Sequence, residues 1–263
     1  MNHYFLPTWT LFQREVVRFL RQRNRVIGAI ATPLMFWFLI GSGMGRSFRP
    51  SGASADFTYL EYFFPGTILL MILFTSIFST ISIIEDRREG FLQAVLAAPV
   101  TRGSIVLGKV LGGATLATLQ GLALCLLAHV AGLSVSVEAI AMAAMVMFIT
   151  GCALTGLGYL VAWPMQSVQG FHAIMNLFLM PLWLLSGALF PASGAAPWLG
   201  VVMKINPLYY GLIALRHAFY PIDHPLLAGQ PGMRFCLMLL IGVTTVLVLI
   251  NIQLTRQKPG RNP

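Results

Sequence analysis

Apolar positions in this chain do not alternate with polar ones at the period of a half-buried helix or strand; they run on. Six stretches, 26–44, 62–84, 110–133, 139–163, 168–190 and 235–254, contain no Asp, Glu, Lys or Arg. Each has about the 20 residues that a helix needs to cross the hydrocarbon of a bilayer. An open strand in lipid leaves its backbone unsatisfied, so the pattern predicts six spanning helices and an all-α polytopic membrane protein. Pro33 and Pro181 fall inside the first and fifth runs and predict kinks there.

Ahead of the first run the pattern changes. Arg14, Arg18, Arg21 and Arg25 recur at helical spacing, with Phe12, Val16 and Phe19 roughly opposite. This predicts an amphipathic helix within 1–25, lying in the cytoplasmic interface. Trp9 and Phe12 would sit at headgroup depth and the arginines would face phosphates or a partner. A topogenic arginine cluster with no further role is the simpler alternative. Residues 26–263 are read as one six-span transmembrane domain. Between the fifth and sixth runs, 191–232 forms a longer connection whose apolar middle is interrupted by Lys204 and by Asn206-Pro207. Pro207 disfavours helix at Asn206 and lacks a backbone donor, so each half is too short to cross. An outer re-entrant or surface-lying helical hairpin fits better than a seventh span.

Composition agrees with lipid as the main solvent. The 263 residues are 57% hydrophobic and only 10% charged, against about a quarter charged in an ordinary soluble domain. The net charge of +9 does not point to nucleic acid, because the arginines flank apolar runs and form no groove-binding stripe. With sides numbered by alternation, one side holds the five arginines before the first run, then Arg87, Arg88, Arg102 and Lys109, then Arg256, Lys258 and Arg261. That is twelve of 17 Lys and Arg; the other side holds Arg46, Arg49, Lys204, Arg216 and Arg234. The positive-inside bias places both termini and the 85–103 segment in the cytoplasm.

That segment, EDRREGFLQAVLAAPVTRG, is the densest mixed charge in the chain, with Glu85, Asp86, Arg87, Arg88, Glu89 and Arg102 in one inter-helix loop. Such a loop is offered to a partner. Residues 103–109, GSIVLGK, match the phosphate-loop pattern GxxxxGK, but Val110 stands where the Mg²⁺-binding hydroxyl is needed and no strand precedes. The chain therefore carries no nucleotide site of its own. Catalytic sets are missing too, and the runs contain no acid for an intramembrane enzyme. His217, Asp223 and His224 lack metal-ligand spacing and are read as no metal site. Cys125, Cys152 and Cys236 lie inside apolar runs and read as buried free thiols. Gln166, Gln169, His172 and Asn176 open the fifth run as one polar stripe. Polar side chains at membrane depth line a transport route or a subunit interface, or bond to neighbouring helices within one subunit. Gly108 and Gly112 make a GxxxG, and Gly151, Gly156 and Gly158 recur later, as close helix packing requires.

Two segments resemble the ABC-2 type membrane subunits of ABC exporters. One is Arg88-Glu89-Gly90-Phe91-Leu92 followed by Ala98-Pro99-Val100-Thr101-Arg102. The other runs from Met175 to Arg216 and includes Asn176, Pro181-Leu182-Trp183-Leu184-Leu185-Ser186-Gly187, Phe190-Pro191, Pro197-Trp198-Leu199, Asn206-Pro207-Leu208 and Ala214-Leu215-Arg216. Phe91, Gln93 and Ala98 replace the family's small polar residue, acid and Thr. The resemblance implies that 85–103 forms a coupling helix docked on a separate ATP-binding subunit, with Glu85, Asp86, Arg87, Arg88, Glu89, Gly90, Phe91, Pro99 and Arg102 as coupling residues. It implies two ATPase copies and a second copy of this chain, with ATP and Mg²⁺ held by the ATPase and no cofactor on this chain. The N-terminal helix would also touch the ATPase, and the outer hairpin would cap the path. The expected function is export of an amphipathic, lipid-like or drug-like substrate across a bacterial inner membrane. An ATPase-independent transporter or channel and a membrane scaffold for an enzyme complex are the alternatives.

Overall fold

The computed structural model describes residues 2–44, 57–191 and 196–257, with side chains at all of these except 2–4 and 23–25. The Arg25 side chain, Arg46, Arg49, Lys258, Arg261 and part of the expected hairpin, 192–195, therefore lie outside what is described. Among the described residues the chain is helical with no strand. The helices are α1 (Asn2–Arg21), α2 (Arg23–Met44), α3 (Tyr59–Ser79), α4 (Ile81–Arg88), α5 (Phe91–Ala97), α6 (Arg102–Cys125), α7 (Val137–Ala162), α8 (Val168–Leu184), α9 (Pro197–Ile205), α10 (Pro207–Phe219) and α11 (Met233–Arg256).

Five helical segments are long and apolar enough to cross a membrane: Val26–Met44, Tyr59–Arg88, Arg102–Cys125, Val137–Ala162 and Met233–Arg256; α9 with α10 makes a sixth if the pair is one bent span. The centre is the Tyr59–Arg88 rod formed by α3 and α4, which pass into each other at Thr80 and are almost wholly buried. Around it α2, α6, α7 and α10 pack closely, and α2 and α11 each turn an outer side away from the bundle with apolar side chains exposed.

Three expected boundaries move. The second span does not stop at Ile84: helix continues through the charged residues to Arg88, so the first part of 85–103 is the end of a helix rather than a loop. The third span begins at Arg102, where Thr101 caps it by accepting a hydrogen bond from the Ser104 amide at 3.2 Å. The fifth run, 168–190, contains a helix of 17 residues that ends at Leu184. The chain turns through Gly187, whose φ of +89° suits only glycine without strain. The Gly187 carbonyl accepts from Tyr62 Oη and Arg216 Nη2, each at 3.0 Å. These bonds to the centre of the bundle fix the turn where sequence periodicity continues the helix.

At Asn206-Pro207 the chain breaks, and α9 and α10 meet at 85°. Asn206 is the N-cap of α10; its Oδ1 accepts from the Leu208 amide at 2.9 Å and its Nδ2 donates to the Leu182 carbonyl at 2.6 Å. The GxxxG of α6 is where α1 lies. A Cβ at Gly108 would fall 2.7 Å from Leu11 Cβ, and one at Gly112 2.8 Å from Glu15 Cβ. The two glycines let α1 approach to backbone contact, which brings its polar residues onto α4 and α6.

Candidate functional site

The junction of α1, α4 and α6 holds three cations and four carboxylates. Arg14, Glu15 and Arg18 come from α1, Glu85, Asp86 and Glu89 from α4 and its C-cap, and Lys109 from the second turn of α6. Asp86 is the hub. Its carboxylate, 1% exposed, accepts from Arg14 Nη2 at 2.6 Å and Nη1 at 3.0 Å, from Arg18, and from Lys109 Nζ at 2.6 Å. Lys109, equally buried, also bonds to Glu15 and donates to Ser82 Oγ at 2.9 Å, and Ser82 in turn donates to Glu15 Oε2 at 2.7 Å. Every charge at the centre is paired and hydrogen-bonded, which is the condition for keeping ions out of water. At the rim, Arg18 Nη2 meets Glu85 at 3.1 Å and Glu89 at 3.0 Å. Partial burial acts to lower the Arg18 pKa, but the charges of Asp86, Glu85 and Glu89 outweigh it and hold the guanidinium above its ordinary value.

This reverses the expected outlook of α1. Arg14 and Arg18 face the chain's own carboxylates, and the side of the helix that points away from the protein is mostly apolar, with Phe5, Leu6, Trp9, Val17 and Leu20 exposed around Gln13. Arg21 is exposed at the end of the helix. Trp9 stacks between Phe5 and Phe12 along that outer side.

Beyond Asp86 the segment turns outward. Gly90 takes φ +78° and lets α5 fold back from α4. Phe91 is pinned beneath Arg14, whose guanidinium carbon lies 3.6 Å from the ring centre, and Leu92 is buried. Arg102 Nη1 donates to the Leu96 carbonyl at 3.2 Å, closing the end of α5. What α5 shows to solvent is Gln93, Ala94, Ala97, then Ala98 and Pro99, a flat face of small side chains beside the exposed Glu89. Arg87 and Arg88 turn the other way. Arg87 Nη1 donates to the Met165 carbonyl at 2.7 Å and Nη2 to the Trp163 carbonyl, and Arg88 Nε donates to the Gln166 carbonyl at 3.0 Å.

The polar stripe is split. Gln166 lies ahead of α8, which is capped by Ser167, while Gln169, His172 and Asn176 are exposed on α8 beside Ile174, Leu177 and Phe178. Its opposite face, Phe171, Met175, Leu179 and Trp183, is buried. Phe78 of α3 reaches the His172 ring, 4.9 Å between centres. Phe78 also borders a cavity of about 290 Å³ between α2 and α3, lined by Phe19, Gly28, Thr32, Pro33, Phe74 and Thr75.

Sequence reasoning passed over Glu15, Ser82 and Lys109. The signal available was their helical register: Ser82 and Asp86 are four apart, and Lys109 stands one position after Gly108 of the GxxxG. It also passed over Gln120, whose side chain accepts from Thr75 inside the bundle. The three cysteines are free and buried, as read. Among the described residues no three His, Cys, Asp or Glu side chains gather as metal ligands; His217 Nε2 pairs with the Pro231 carbonyl, and His224 Nδ1 accepts from the Leu226 amide.

The family model described as ABC-2 type transporter matches residues 7–220, which takes in the charged junction, α5, α8 and the bent pair. The chain belongs to the ABC-2 type transporter family. Its relatives include Nodulation protein J of Rhizobium meliloti (strain 1021), 29% identical over 209 residues, 78% of this chain and 75% of that one. Nodulation protein J of Rhizobium leguminosarum bv. viciae is 28% identical over 86% of this chain and 82% of its own length. A shorter match, 27% identical over 56% of this chain and 41% of the relative, is to the Escherichia coli (strain K12) protein named "Probable multidrug ABC transporter permease YbhR". Membership, with the long apolar helices, makes this ABC-2 chain a multi-pass membrane protein of a transport permease family.

Proposed function

We propose that the chain is the membrane half of an ATP-driven exporter, paired with separate ATPase subunits and with a second copy of itself in a bacterial inner membrane. The observation that carries this reading is the build of α5: an exposed face of small side chains on a base locked by the buried Asp86 junction. A surface meant to receive force from a partner needs a flat contact and a stiff mount, and α5 has both. The words "ABC transporter permease" in the name of the Escherichia coli relative support an ATPase as that partner. In this reading Glu89, Gly90, Gln93, Ala94, Ala97 and Pro99 contact the ATPase, both termini are cytoplasmic, α1 lies in the interface with its apolar side in lipid, and α9–α10 form the outer re-entrant hairpin. Gln169, His172 and Asn176 line the substrate path or the contact between copies. The substrate is amphipathic or lipid-like, matching the largely apolar wall of the cavity between α2 and α3.

The test is affinity purification in mild detergent, followed by ATP hydrolysis measured on the membrane complex. A separate ATPase chain should co-purify, and Ala97→Arg should remove it or abolish the permease's effect on hydrolysis while the permease keeps its thermal stability. A permease that always purifies alone overturns the reading in favour of an ATPase-independent transporter or a scaffold.

A further inference from the structure

We infer that Arg87 and Arg88 are positioning residues that fasten the base of α8 to the coupling segment, rather than contacts offered to the ATPase. The proposal rests on the exporter reading above and names how the α5 surface reaches the polar face of α8.

Both side chains are engaged by the chain's own backbone. The three carbonyls they bind, Trp163, Met165 and Gln166, belong to the five-residue turn 163–167 between α7 and α8. Arg87 also lies over the Trp163 ring, 5.5 Å from its centre. A guanidinium is a rigid planar fork and can bridge two carbonyls at once; a lysine ammonium keeps the charge but not the fork. These carbonyls stand at the C-terminus of α7, where the helix dipole also favours a cation.

The rest of α8 is lightly held. Its main helix neighbours are α3 and α4, the central rod. Near its far end Trp183 Nε1 donates to the Gly66 carbonyl of α3 at 2.9 Å, and Asn206 holds the Leu182 carbonyl. Between these ties one side of α8 is exposed, and it carries Gln169, His172 and Asn176. At its own end α4 is locked to α1 and α6 through Asp86. A displacement of α5 is therefore passed to α4 as a rigid unit, and the arginines are the polar ties that carry it into the turn leading into α8. Coupling between two sites is carried by packed, hydrogen-bonded elements that join them; α8 is the element assigned that role here.

The experiment has two arms. In the first, the purified permease without ATPase carries a spin label on Gln169→Cys, with the native thiols buried. Arg87→Ala/Arg88→Ala should raise label mobility there, while a control label on Val137→Cys, at the start of α7, stays unchanged. Arg87→Lys, which keeps the charge and folds more safely, should give an intermediate mobility. Unaltered mobility at 169 in both variants overturns the inference. In the second arm, the reconstituted complex is trapped with ATP and vanadate. The nucleotide-dependent change at 169 should be lost in the double variant, and transport should fall by at least about fivefold, the lower end of energetic coupling between sites. The ATPase should still co-purify at the unsubstituted ratio. Loss of the ATPase with normal mobility at 169 would make Arg87 and Arg88 docking contacts and overturn the inference. Failure of the unsubstituted chain to capture any ATPase sinks the exporter reading instead, and the first arm still decides the role of the arginines.

Discussion

Lys109 sits one residue before an apolar run that reads cleanly from Val110, so sequence reasoning assigns it to the charged flank. The structure buries it, because its partner Glu15 is 94 residues away and only folding brings the two together. That is why the cluster was illegible: the segment's own charges were visible, but which of them point inward depends on α1. Removing one member of a buried ion set leaves a charge uncompensated and costs roughly 3–5 kcal/mol. Lys109→Met should lower unfolding stability in detergent by about that amount, and adding Glu15→Gln should recover part of it. Additive losses in such a double-mutant cycle would contradict the pairing. His224 gives a second residue-scale expectation. Burial, then the charge of Arg216, holds its pKa below the ordinary 6.5, and its Nδ1 must stay unprotonated to accept from Leu226. As pH falls below 6.5 the unfolded segment takes up the proton first, so stability present above that value is lost toward the lowered folded pKa. Hydrogen-exchange protection factors near 224–230 should fall below pH 6.5, and His224→Gln should flatten that response.

Among the elements, the long helices were legible because lipid leaves few ways to satisfy a backbone. Their ends were not. α4 continues through charged residues because α1 neutralises them, and α8 stops short because Tyr62 and Arg216 claim the Gly187 carbonyl. The break at Asn206-Pro207 was legible, since proline acts locally. The GxxxG was legible as a packing surface but not as the seat of α1. Gly112→Leu would push a side chain into Glu15, with the first added carbon already 2.8 Å away. Overpacking of this kind costs about 1–3 kcal/mol. Limited proteolysis should then cut near the α1–α2 joint sooner than in the unsubstituted protein, and an unchanged cleavage rate would show that α1 does not depend on this seat.

Across the whole molecule, the burial pattern is lopsided. The α3–α4 rod is enclosed, while α8 and α2 keep one side open and the cavity by Phe78 lies between α2 and α3. If two copies meet across the polar side of α8, a single Asn176→Cys should form an inter-chain disulfide in membranes under mild oxidation, whereas Val246→Cys, exposed on α11 among apolar neighbours, should not. Cross-linking at 246 and not at 176 would place the contact elsewhere.

The inward charges of α1 also set a timetable. Glu15 leaves the ribosome long before Ser82 and Lys109 exist to receive it, so α1 is made well before it can find its place. On the proposed interfacial placement, α1 until then rests by its apolar side on the bilayer surface, with Arg14, Glu15 and Arg18 open to water. Chains truncated before Lys109 should therefore leave a cysteine at Glu15 accessible to a water-soluble thiol reagent, and full-length chains should shield it. Docking of α1 would then mark the moment when this end of the bundle is complete.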